Sequence, residues 1–169
     1  MRIIGRALVL PRDLRDDVNT DVIIAGQYLR LPEAELAPHA FEAVMPDFPG
    51  RAHERPVLVA GANMGCGSSR EQAVKALLGC GVRLVLAHSF GQIFQRNAIN
   101  LGLPPVVLSG AADLIAHDSL VEADLAEGWV RCDGVEVGRV SYPTHIRAIL
   151  EAGGILPLLK KDPNALVGR

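Results

Sequence analysis

The chain has 169 residues and a formal net charge of −2, with both signs scattered along it. That length suits one domain with its own core, and the lack of a basic face argues against a nucleic-acid partner. Hydrophobic residues make up 49% but aromatic ones only 4%, so the core must be aliphatic. No uninterrupted apolar stretch approaches a membrane span. The amino end, 1–6, lacks the long apolar run of a signal peptide, so the expected location is cytoplasmic.

The first apolar run, 3–10, predicts a strand that Pro11 ends. A charged surface loop, 12–17, follows. Val18-Asn19-Thr20-Asp21 reads as an Asx-rich turn leading into a short buried strand through Ile24. Segment 27–31 reads as an exposed connector. The pattern of Leu36, Ala40, Phe41 and Val44 predicts a helix over 32–45, with Pro38 dividing it. The proline- and charge-rich stretch 46–56 reads as a long mobile loop. From Val57 the rhythm becomes strand, helix, strand, helix, strand: strands at 57–60, 82–87 and 106–108, helices at 69–80 and from His88 to about Gly102. That rhythm implies parallel pairing with right-handed crossovers. A short helix is predicted at 111–117, and strands at 119–125, 129–132 and 135–141. Asp133-Gly134 is a two-residue hairpin signal between the last two. Helices follow at 143–152 and 155–161, and 162–169 reads as a frayed tail.

The chemistry concentrates between the strand at 57–60 and the helix after it, in Ala60-Gly61-Ala62-Asn63-Met64-Gly65-Cys66-Gly67-Ser68-Ser69-Arg70-Glu71. Glycines let the backbone take positive φ and approach a ligand closely. Ser68 or Ser69 is placed to cap the following helix, with Glu71 or Gln72 answering from its first turn. Free N–H groups and the dipole at a helix start favour an anion. The plainer reading is a capped strand-to-helix turn. It leaves Arg70 unexplained, because a cation at a helix start is unfavourable without an anion beside it.

Known loop types do not fit. The G-x-S-x-G spacing of a hydrolase elbow is absent, as is the Gly-Lys-Ser/Thr of a Walker loop. Gly65-Cys66-Gly67 is followed by Arg70, which breaks the dinucleotide pattern. Carboxylate recognition beside proton transfer does fit: Arg70 can hold a carboxylate with two parallel bonds, and a serine in its field could act as a base. Cys66, Cys80 and Cys132 lack ligand spacing. The five histidines are dispersed, so no metal site is assigned to this chain.

The run 63–71, Ser89-Phe90 with Ile93-Phe94, Arg96-Asn97-Ala98-Ile99-Asn100, and Gly102-Leu103-Pro104 together resemble the aconitase-superfamily swivelling domain. The closer likeness is to the free-standing small subunits of 3-isopropylmalate dehydratase and homoaconitase. Asn19-Thr20-Asp21 with Ile23-Ile24 matches that family's first motif, and the resemblance covers nearly the whole chain. It implies that Ser68 is the base removing the proton α to a carboxylate. It further implies that Ser69 and Arg70 contact substrate carboxylates, and that Asp21 orients a histidine of a large subunit. Arg30, in Tyr28-Leu29-Arg30-Leu31, falls in the family's substrate-selecting segment; the plainer reading is a solvated loop arginine. Gln72 stands where the family usually has histidine, and Met64 where it usually has an aromatic or similar residue. Neither departure removes a group assigned to catalysis.

The expected fold is therefore a single α/β domain over 1–169, a three-layer swivelling β/β/α domain with a mixed sheet. The expected function is the small subunit of a hydro-lyase of the 3-isopropylmalate dehydratase type, serving leucine biosynthesis. The expected partners are a large subunit carrying a 4Fe–4S cluster and a small di- or tricarboxylate substrate. A homoaconitase small subunit, serving lysine biosynthesis, is the alternative. A non-catalytic anion-binding module is the rival from another class.

Overall fold

The computed structural model describes residues 1–166. One mixed seven-stranded sheet runs in the order β4-β3-β2-β1-β5-β6-β7. Strands β1 (Arg2–Val9), β2 (Val57–Val59), β3 (Leu84–Ala87) and β4 (Pro105–Val107) are parallel. Strands β5 (Leu120–Asp124), β6 (Trp129–Cys132) and β7 (Val135–Arg139) continue antiparallel from β1. The parallel strands advance in one direction. Right-handed crossovers then put α2 (Phe48–Glu54), α3 (Glu71–Gly79) and α4 (Gln92–Asn100) on the same face.

Each buried strand feeds two cores in alternation, as the two-residue period requires. In β3, Val85 and Ala87 pack with Phe48, Val74, Leu77 and Phe94 of the helices, whereas Leu84 and Leu86 pack with Val121, Ala123 and Val130 of the antiparallel strands. The sheet curls so that its ends approach: a Cβ at Gly138 of β7 would collide with Leu108 beyond β4. The Tyr142 hydroxyl also donates to the Pro105 carbonyl at 2.7 Å. The result is the expected succession of antiparallel sheet, parallel sheet and helices.

Several local expectations are overturned. Residues 18–24 are not a strand: Asn19 caps a single helical turn, α1 (Thr20–Ile23), by accepting from the Asp21 N–H at 2.9 Å. Segment 32–45 is not a helix but two 3₁₀ turns, Glu33–Glu35 and Ala37–His39, after which Phe41 takes φ 55°. Pro38 removes a donor, and the positive φ at Phe41 turns the chain so that its ring meets Phe48. The stretch 46–56 is ordered as α2, with Pro49 in its first turn and Phe48 and Ala52 fully buried. Helix α4 starts after Gly91 rather than at His88, and Ile93 is exposed instead of facing inward.

The Asp133-Gly134 hairpin is present, both residues having positive φ. Helix α5 (Ala111–Leu114) is one turn long; α6 (Thr144–Glu151) and α7 (Ile155–Lys161) follow the predicted pattern. Of the expected frayed tail, 162–166 turns back from α7, and 167–169 lie outside the described residues.

Candidate functional site

The loop 60–70 leaves the carboxyl end of β2, where open parallel sheets place their ligands. Two neighbouring loops hold it. From the segment after β1, the Asp17 N–H donates to the Ala62 carbonyl at 2.9 Å, and the Thr20 N–H donates to the Cys66 carbonyl at 2.8 Å. The Gly65 and Cys66 N–H groups both donate to the Val18 carbonyl. From the segment after β3, the Ser89 carbonyl accepts from Met64 and the Ser89 hydroxyl from Asn63. Gly67 has φ 94°, and a Cβ there would strike the Asn19 side chain. Only glycine lets the loop turn that tightly against α1.

Ser68, Arg70 and Asp21, the residues to which the resemblance gives roles, meet in space. Arg70 Nε donates to Ser68 Oγ at 3.2 Å, and Arg70 Nη1 to the Ile24 carbonyl at 3.0 Å. Its Nη2 forms an ion pair with Asp21 Oδ1 at 2.8 Å. A guanidinium has five N–H donors, more than these two hydrogen bonds and one ion pair engage. The Ser68 hydroxyl in turn faces Asp21 Oδ1 at a loose 3.4 Å. The Arg70 side chain is only 16% exposed, whereas Asp21 is 55% exposed.

Ser68 does not cap α3. Arg70 itself is the N-cap residue, in extended conformation, and no side chain caps the helix. Neither Ser69 nor Glu71 makes the expected reciprocal bond. Among the described residues, the amides of Gly67, Ser68, Ser69 and Arg70 have no acceptor. Gly67, Ser68 and Ser69 are exposed. Unfilled N–H groups at a helix start, two hydroxyls and a half-buried guanidinium make a surface cradle for an anion.

Arg30 is also exposed, on the turn after the 3₁₀ segment Gly26–Tyr28, and enters no ion pair among the described residues. Its segment lies beside the cradle: a Cβ at Gly26 would sit 3.9 Å from both terminal nitrogens of Arg70.

Sequence reasoning missed one support, Thr20, and gave the other, Gln72, a different partner. Thr20 is the buried polar residue of the site, and its hydroxyl donates to the Ser68 carbonyl at 2.9 Å. Gln72 Nε2 donates to the Leu29 carbonyl at 3.2 Å. Both contacts join parts of the chain more than 40 residues apart. Local pattern carries no trace of them; the motif around Asn19 was visible, but not what its threonine touches.

The donor set does not fit a cluster. No group of three or more His, Cys, Asp or Glu side chains stands close enough to hold a metal among the described residues. Burial and the Asp17 carboxylate push the Cys66 thiol up, and burial pushes Cys80 up to about 12. Cys132 is likewise raised, first by burial. Among the described residues no helix is long and apolar enough to cross a membrane.

Residues 18–111 match the aconitase C-terminal domain family. Over 168 residues the chain is 45% identical to the 3-isopropylmalate dehydratase small subunit 1 of Methanopyrus kandleri, covering 97% of this chain and 96% of that one. It is 46% identical over 149 residues to the methanogen homoaconitase small subunit of Methanocaldococcus jannaschii, covering 86% of each. The solved structure of 3-isopropylmalate dehydratase from Methanocaldococcus jannaschii superposes with a TM-score of 0.85 at 42% identity, covering 96% of both chains.

Proposed function

The chain belongs to the aconitase C-terminal domain family, among the small subunits of its dehydratases, and we propose that it acts in a 3-isopropylmalate dehydratase. The enzyme would interconvert 2-isopropylmalate and 3-isopropylmalate by removing and re-adding water, in leucine biosynthesis. The observation that carries this reading is the exposed cradle at 67–70, with Arg70 bonded to both Ser68 and Asp21. It holds a base and carboxylate donors, yet lies open on the surface, as half of a site shared with a larger partner would.

In this reading Ser68 Oγ takes the proton from the carbon α to a carboxylate. The Arg70 Nε–H beside it stabilises the charge that the oxygen carries when deprotonated. The remaining N–H groups of Arg70, the Ser69 hydroxyl and the open amides hold substrate carboxylates. Asp21 fixes the guanidinium and remains accessible for a histidine of the large subunit. A 4Fe–4S cluster carried by that subunit would supply a Lewis acid for the hydroxyl; among the described residues this chain has no group of side chains placed to hold one. The working location is the cytoplasm.

Arg30 favours a second substrate. A guanidinium that is exposed beside the cradle, with no ion pair among the described residues, suits the extra carboxylate of homoaconitate, and the Methanocaldococcus jannaschii relative is named for that activity. The test of the common mechanism is Ser68→Ala, assayed with the reconstituted large subunit. Loss of a general base costs about 10²–10⁴ in rate. Turnover should fall by that factor, with assembly and thermal stability unchanged; near wild-type turnover would remove Ser68 from its role.

A further inference from the structure

The segment that carries Arg30 is held to the cradle by a side chain on α3. From Ile24 to Leu29 the segment runs alongside the start of that helix. At one end the Ile24 carbonyl accepts from Arg70, and at the other the Leu29 carbonyl accepts from Gln72 Nε2 at 3.2 Å. Arg30 follows Leu29 directly. On its other side the segment has a second support, the Tyr28 ring stacked on His39 with centroids 3.7 Å apart. Glu42 in turn lies 3.3 Å from His39 Nδ1.

Tyr28, Leu29 and Leu31 pack against the helix-side core, and the other side of the segment borders open space. A cavity of about 300 Å³ is bounded by Asp21, Ala25, Gln27, Tyr28, His39 and Glu42. Gly26 and Gln27 are exposed. That cavity adjoins the exposed side of the segment. Among the described residues, the amide of Gln72 is the one side-chain donor that binds the backbone next to Arg30.

We propose that Gln72 is a positioning residue for substrate selection: its amide holds the Leu29 carbonyl on the first turn of α3 and so sets where Arg30 meets the substrate's variable substituent. The inference rests on the hydro-lyase reading above. The chemistry requires a donor at this position. A glutamate of the same shape would set a carboxylate against a carbonyl, two acceptors with no proton between them. Gln72 touches none of the groups assigned to proton transfer, so its loss should act on discrimination between substrates and leave the chemical step alone.

The test uses Gln72→Glu and Gln72→Leu in the reconstituted enzyme, with 3-isopropylmalate and homoaconitate as the two substrates. Amide hydrogen exchange of this chain supplies a readout independent of activity. Exchange over 26–31 should quicken in both variants while that over α1 stays unchanged. The ratio of kcat/KM between the substrates should move by about threefold to tenfold, the worth of one neutral hydrogen bond. The change should lie in KM, with kcat within about twofold, and should vanish in an Arg30→Val background, as expected for coupled residues. Unchanged exchange at 26–31 would show that the tether does not hold the segment. Faster exchange with an unchanged ratio would show that it holds the segment without selecting substrate. Either result overturns the proposal. A wild-type pair that turns over neither substrate would instead overturn the hydro-lyase reading.

Discussion

Arg70 decides the geometry of the cradle because its N–H groups point three ways at once. Lysine keeps the charge but offers a single nitrogen that cannot reach Ser68 Oγ, the Ile24 carbonyl and Asp21 together. Arg70→Lys should therefore keep the fold and lower kcat/KM by at least about 100-fold, taking each lost bond to charge as about 1.5–3 kcal/mol. Steady-state kinetics of the reconstituted enzyme check this. For Arg30 the sharper outcome is selective. Arg30→Val should lose kcat/KM for homoaconitate alone if the guanidinium meets the variable substituent. Equal loss for both substrates would make it a common carboxylate clamp, and no change would remove it from the site. The residue types pointed to Arg70 and a neighbouring serine as a carboxylate site, and the family resemblance added Asp21 and the choice of Ser68. The partners of Thr20 and Gln72 were illegible because only the fold brings them near.

Helix α2 shows how local composition can mislead. Prolines and charges over 46–56 look like a loop, yet Pro49 sits in the first turn, where its missing N–H costs nothing, and Phe48 fills the core. Phe48→Ala should destabilise the protein by about 3–5 kcal/mol, the usual cost of removing a buried phenyl group; a loop residue would cost almost nothing in the same urea titration. The parallel strands, by contrast, were legible from their apolar, β-branched runs, because buried strands tolerate little else. The curl of the sheet was not, since it arises from contacts between its two ends.

The end of α2 is fastened to the turn before β5 by Arg55, which donates to Asp118 Oδ1 at 2.6 Å and Oδ2 at 3.4 Å. That hydrogen-bonded guanidinium holds the Asp118 carboxyl below its usual range. A depressed folded value means the contribution is present above the unfolded pKa of about 3.9 and is lost as pH falls through the lower folded value. Asp118→Asn should thus lower the melting temperature near neutral pH, with the gap to wild type closing below about pH 4. A gap that persists into stronger acid would assign the effect to packing.

At the scale of the whole molecule, the mixed sheet presents the three loops after β1, β2 and β3 on one edge, and the cradle they form stays open. In the proposed enzyme this chain supplies the base and the donors that hold substrate carboxylates, and a large subunit completes the site. The most direct measurement is 3-isopropylmalate isomerase activity of this chain before and after titration with the cluster-bearing large subunit. The expected result is a colourless, inactive chain alone and activity that rises with the added subunit to a stoichiometric plateau. Activity or stoichiometric iron and sulfide in the isolated chain, or no turnover of either 3-isopropylmalate or homoaconitate by the assembled pair, would contradict it.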